Sequence, residues 1–126
     1  MVNIALMFGE GSVFNQDINS WDTSAVQRFD SAFQGNTVFN QYIGSWNTSA
    51  AHTMGGMFLR ATSFNQDMCA LGKQYRTNIN YDTMFSGASS CPTVSDPQNA
   101  EGPWCSPTTQ AECVITHHPT VSVFFL

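Results

Sequence analysis

Apolar residues in the first ninety positions fall into columns. Phe14, Phe39 and Phe64 stand 25 residues apart, and the same step relates Ile18, Ile43 and Met68, then Trp21, Trp46 and Leu71, then Phe8, Phe33 and Phe58. Val26 and Ala51, and Phe29 and Met54, extend the pattern. Polar residues repeat with them: "FNQD" at 14–17 returns as "FNQY" at 39–42 and as "FNQD" at 64–67. Ungapped comparison of residues 14–38 with 39–63 finds identity at 11 of 25 positions, which is duplication rather than coincidence.

Within one unit, "WDTSAVQRFDSAF" reads as a strand end, a cap and a short helix. Asp22 and Thr23 supply side-chain oxygens for free helical N–H groups. Val26, Phe29 and Phe33, at spacings of three and four, share one helical face. "GNTVFNQYI" then brings Gly35 and Asn36, turn residues that tolerate positive φ. The unit predicted is strand, turn, helix, turn. Such a unit cannot bury its apolar face alone, so it stacks on its neighbours, advancing about 4.8 Å per coil where strands pair. The result is an α/β repeat solenoid. Phe14, Phe39 and Phe64 fill its interior, with Asn15, Asn40 and Asn65 one above another as buried amides that satisfy turn backbone.

The register also places boundaries. Met1 falls at the Val26 position, Ile4 at the Phe29 position and Phe8 at the Phe33 position, so the chain opens in mid-repeat and is expected to derive from a longer array. A partial repeat at 1–13 precedes units at 14–38, 39–63 and 64–90. The last unit departs from the pattern: Leu71 stands for tryptophan, and Phe58 is answered by Phe85, a step of 27, so "GKQYRTNINYDT" holds a two-residue insertion. Residues 91–113 carry four of the five prolines and three of the four cysteines, and 91–126 read as an irregular cap and tail.

Composition narrows the function. Of 126 residues 42% are hydrophobic, ordinary for one globular domain. Only 10% are charged, against an average of about 25%, so neutral amides and hydroxyls carry the surface, as suits an extracellular protein. The formal net charge is −5, and the four basic residues are scattered, which excludes a nucleic-acid footprint. No run reaches membrane-span length. The apolar opening lacks a basic leader and a small-residue cleavage site, unlike a signal peptide.

At these residues the chain resembles the BspA-like leucine-rich-repeat surface proteins, in the variant with units "MFxGAxxFNQDIxxWDTSxVxxM". The matching stretches are "MFGEGSVFNQDINSWDTSAV", "FQGNTVFNQYIGSWNTSA" and "MFLRATSFNQDM", with "MFSGASSCP" and "GPWC" similar to the ending of repeats of microalgal type. The resemblance spans roughly residues 1–105. It implies a right-handed solenoid related to leucine-rich repeats, secreted or displayed at a cell surface, in proteins usually described as adhesive or binding. "VITHHPTVSVFFL" lies outside it.

Candidate chemistry is sparse. Cys69, Cys91, Cys105 and Cys113 allow three connectivities. Their clustering at the end of the array points to disulfides that staple the cap in an oxidising compartment, with Cys91 to Cys105 the favoured short closure and Cys69 reaching into the cap. Cys105, Cys113, His117 and His118 could ligate zinc, but no CxxC pair supports it. Asn47-Thr48-Ser49 is an N-glycosylation sequon whose asparagine also suits a plain cap. Asp17, Asp22 and Asp67, with Gln16 and Gln66, could offer oxygens to calcium, yet Tyr42 and Asn47 interrupt those columns. No cofactor is therefore expected. His52 has no Ser-His-Asp or paired-carboxylate setting around it, so an enzyme is not expected. The terminal "VSVFFL" suits a strand over the solenoid edge or one offered to a second molecule. The leading expectation is a non-enzymatic extracellular or cell-surface scaffold binding proteins or glycans. A structural subunit stacking end to end into a fibre or surface layer comes second, and recognition of an ice or polysaccharide lattice third.

Overall fold

The computed structural model describes residues 2–106. Two short strands, β1 (Val2–Asn3) and β2 (Val26–Arg28), pair in parallel. Asn3 faces Arg28, and parallel bridges then link Arg28 to Thr53 and Thr53 to Asn80. Four successive coils thus meet along one line, with the two inserted residues absorbed before Asn80.

Backbone hydrogen bonds show how each coil is wound. The N–H groups of Phe29, Ser31, Phe33 and Gly35 donate to the carbonyls of Thr53, Gly55, Met57 and Leu59 in the next coil, at 2.8–3.0 Å. The residues between them turn inward on their own coil: Ala32 donates to Phe29, Gln34 to Ser31 and Asn36 to Phe33, each three residues back. Met54, Gly56, Phe58 and Arg60 repeat the outward set toward Asn80, Asp82, Met84 and Ser86 at 2.7–2.9 Å. Alternate amides therefore serve the coil and its neighbour along this wall.

This bonding replaces the predicted helix. No α-helix occurs among the described residues, and the single helical element is a 3-10 helix, Cys69–Gln74. An α-helix needs each N–H to bond four residues back, but half of these N–H groups are committed to the adjacent coil. Leu6, Ser31, Gly56 and Thr83 occupy equivalent positions with φ of 62°, 58°, 64° and 56°, a left-handed kink that a right-handed helix excludes. Val26, Phe29 and Phe33 share an inward face because they sit at the corners of three-residue turns. Helical periodicity is not what spaces them.

The interior is a double ladder of rings. Phe8, Phe33, Phe58 and Phe85 stack with centroids 5.4–5.5 Å apart, and Phe14, Phe39 and Phe64 stack at 6.0–6.1 Å. Within each coil the two columns touch: Phe8 on Phe14, Phe33 on Phe39 and Phe58 on Phe64, at 4.0–4.1 Å. Trp21 and Trp46 lie nearly parallel at 6.3 Å, and the Trp46 indole N–H donates to the Ile18 carbonyl at 2.9 Å. Ile18, Ile43, Met68 and Leu71 are buried with Trp46, whereas Trp21, on the first coil, is exposed and not the core residue expected.

The ladder ends at a covalent bond. Cys91 stands where the column of Phe14, Phe39 and Phe64 would next place a ring, 27 residues after Phe64. It is joined to Cys105, with the two Cα atoms 4.8 Å apart. Residues 91–106 fold back over this end. The Trp104 carbonyl accepts from the Met68 N–H, and the buried Trp104 ring packs edge-on against Tyr81 and Tyr75 at 5.6 and 6.3 Å.

Because the Phe58 ring touches Phe33, Phe64 and Phe85 and is wholly buried, Phe58→Ala is expected to destabilise the protein by about 3–5 kcal/mol. Denaturant titration measures this. A loss below about 1 kcal/mol would contradict the ring ladder.

Candidate binding surfaces

Beside the ring column runs a column of amides. Asn15 Oδ1 accepts the Asn40 N–H at 2.9 Å and Gln41 Nε2 at 3.0 Å, and Gln41 Nε2 also reaches the Asn15 carbonyl at 3.3 Å. One coil later Asn40 Oδ1 accepts the Asn65 N–H at 2.9 Å and Gln66 Nε2 at 2.8 Å. Asn15, Asn40 and Asn65 are exposed, which corrects the expectation of buried amides. They fasten coil to coil from outside, at the rim of the phenylalanine column. Among described residues their Nδ2 groups donate to nothing, which leaves a row of exposed N–H donors.

The buried amide is Asn36, whose importance the repeat disguises because Gly11 and Ala61 replace it in neighbouring coils. Asn36 Nδ2 donates to the carbonyls of Phe8 and Phe14 at 3.1 and 3.2 Å, and Asn36 Oδ1 accepts the N–H groups of Val38 and Phe39 at 2.9 Å. Its signal in the sequence was only the Gly-Asn turn pair.

The carboxylates considered for calcium are used locally. Asp17, Asp22 and Asp67 each accept the N–H two residues on, from Asn19, Ser24 and Cys69, at 3.0 Å. The Ser24 hydroxyl, and then its N–H, hold the Asp22 carboxyl below its ordinary pKa. Burial, and then the charge of Asp67, raise the Tyr42 phenol. No group of three His, Cys, Asp or Glu able to hold a metal occurs among the described residues. Cys105 is committed to Cys91, which removes it as a zinc ligand, and Cys69 is disulfide-bonded too. Cys113, His117, His118 and the terminal "VSVFFL" lie outside the described residues.

Asn47 is exposed, with its Oδ1 accepting the Ser49 N–H at 2.9 Å in a tight turn and no helix following to cap. Its Nδ2, the atom a glycan would modify, bonds to no described residue. Among the described residues no helix is long and apolar enough to cross a membrane.

A hollow that sequence reasoning missed lies beside the line of parallel bridges. It measures about 440 Å³ and is lined by Gln27, Ser49–His52, Arg76 and Asn78, contributions from three successive coils. A neighbouring hollow of similar size lies against Tyr75, Asn78–Asp82 and Asp96–Gln98. Both border the inserted segment, and only the broken step from 25 to 27 residues hinted at them.

The amide ladder makes its own differential test. Asn40 carries two bonds on one oxygen and Asn65 carries none, so Asn40→Ala is expected to cost about 1 kcal/mol and Asn65→Ala under about 0.5 kcal/mol. Equal losses in thermal or chemical unfolding would contradict the ladder.

Comparison with curated proteins and with solved structures gives no match. A family model does match, over residues 1–96, more than half of the chain. With its coils in that stretch, the chain belongs to the family described as "Mycoplasma protein of unknown function, DUF285".

Proposed function

We propose that the chain is part of a right-handed solenoid of the BspA-like leucine-rich-repeat type, with turns in place of helices. In this reading it acts as a non-enzymatic scaffold that binds proteins or glycans outside the cell or at a cell surface. BspA-like repeat proteins fall within the matching family, which supports the choice. The disulfide of Cys91 with Cys105 supports an oxidising compartment.

The observation that carries the reading is the exposed amide row. Successive coils present the same Asn and Gln pair, with the spare Asn donors repeating at about the 4.8 Å spacing of paired strands. The Asn15 and Asn40 side chains are each held by the next coil through their Oδ1, so ligand contacts there lose little side-chain freedom. Many weak, evenly spaced bonds then add as a set, as suits polymers and extended surfaces.

A second reading, end-to-end association of copies, rests on a different observation. Leu6, Met7, Val13 and Trp21, all on the first coil, are 67%, 50%, 84% and 42% exposed. The other end is covered by residues 91–106, so copies would meet through their first coils, in pairs rather than fibres.

The test is a screen of the protein against arrayed glycans and extracellular proteins, with light scattering on the same sample. The expected result is a monomer with saturable binding to at least one arrayed ligand, weakened severalfold by Asn65→Ala. Absence of saturable binding contradicts the scaffold reading, and a concentration-dependent dimer lost on Trp21→Ser selects the second.

A further inference from the structure

The hollow formed by Gln27, Ser49–His52, Arg76 and Asn78 has a chemical character that the amide row lacks. In a chain of formal net charge −5 with four basic residues, two of the arginines are already neutralised: Arg28 pairs with Asp30 at 2.7 Å and Arg60 with Glu10 at 2.5 Å. Arg76 pairs with no carboxylate among the described residues. It is half-buried, and no acidic side chain lines the hollow it enters.

Arg76 is held in place from two sides. One guanidinium nitrogen donates to the Ala51 carbonyl at 2.8 Å, and its own N–H donates to the Tyr81 hydroxyl at 3.2 Å. Tyr81 is itself fixed between Tyr75 and Trp104. The guanidinium has five donors in a rigid fork and one is used here, which leaves enough for a planar pair to take a carboxylate. His52 is fixed as well: its N–H donates to the Gln27 carbonyl at 2.8 Å, and its carbonyl accepts the Asn80 N–H at 3.4 Å.

The remaining lining holds no carboxylate. The side chains of Gln27, Ser49, His52 and Asn78 make no hydrogen bond to any described residue. They offer amide, hydroxyl and imidazole groups around one preorganised cation. The volume, about 440 Å³, lies within the roughly 300–1,000 Å³ of small-molecule sites. An apolar peptide side chain would find little to pack against here, whereas a ring bearing several hydroxyls would find partners on each wall.

We propose that this hollow binds an acidic sugar unit, its carboxylate on Arg76 and its hydroxyls on Gln27, Ser49 and Asn78. The proposal rests on the binding-scaffold reading and narrows its ligand class to a carboxylated glycan. It also gives the two-residue insertion a use: the extra length before Asn80 lets the chain leave the flush stack and carry Arg76 and Asn78 to the rim of the hollow.

The experiment is an NMR titration of the isotope-labelled full chain with a trimer of galacturonic acid, its methyl ester and a galactose trimer. The acid is expected to shift the Arg76 Nε–H and Asn78 side-chain amide signals and to bind about tenfold or more tighter than ester or neutral sugar. Arg76→Gln should abolish that preference. Should Arg76→Gln fail to fold, Gln27→Ala with Asn78→Ala removes side chains that hold no structure, and affinity should fall severalfold. Equal binding of acid and ester, or unchanged affinity in these variants, overturns the proposal. Array hits confined to proteins or neutral glycans overturn it while leaving the scaffold reading intact, and no hits at all overturn both.

Discussion

Along one wall each of the first three coils gives alternate amides to the coil after it, from Ile4 to Phe8, Phe29 to Gly35 and Met54 to Arg60, and this division of backbone bonds constrains the rest of the fold. An N–H that bonds across to the next coil cannot close a helix on its own, so the chain between crossings must turn within three residues. Those turns need a left-handed residue at a fixed place, met by Leu6, Ser31, Gly56 and Thr83 in successive coils. They also swing Phe29 and Phe33 inward. The crossing bonds, 2.7–3.3 Å long, set the coils close enough for rings to stack, with the Phe33, Phe58 and Phe85 rings nearly parallel. The aromatic ladder and the backbone ladder thus hold the same register from inside and from the wall.

Such an array has no natural stopping point, because each coil offers the next the edge it received. The chain ends it by chemistry rather than by shape. At Cys91 the ring column is replaced by a disulfide to Cys105, and Trp104 lies edge-on across the two stacked tyrosines, Tyr75 and Tyr81. The same departure from the 25-residue step opens the hollows on either side of Asn78. Regular coils supply a rigid wall, and the irregular last unit supplies a recess in it.

How legible this was in the sequence depended on the kind of interaction. Residues that recur at equal intervals, such as Phe14, Phe39 and Phe64 or Trp21 and Trp46, announce their stacking because a core that repeats must repeat its side chains. Cys91 and Cys105 were legible as a pair from their place at the end of the array. The helix was misread because spacings of three and four residues arise from three-residue turns as readily as from helical periodicity. Only the backbone bonds separate the two cases, and no side chain reports them. Burial of the asparagine column was misjudged for a related reason: Asn15 and Asn40 serve neighbouring coils from the outer rim, while the one fully buried side-chain amide among the described residues, Asn36, has no counterpart in the repeat. The Arg76 hollow assembles residues from three coils and has no linear signature.

The central claim is that the coils lie in parallel with equivalent phenylalanines in contact. The direct measurement is through-space NMR with selectively labelled phenylalanine in the full chain. The account predicts ring-to-ring contacts from Phe33 to Phe58, from Phe58 to Phe85 and from Phe39 to Phe64. Contacts among these rings only within a coil, with none between coils, would contradict it.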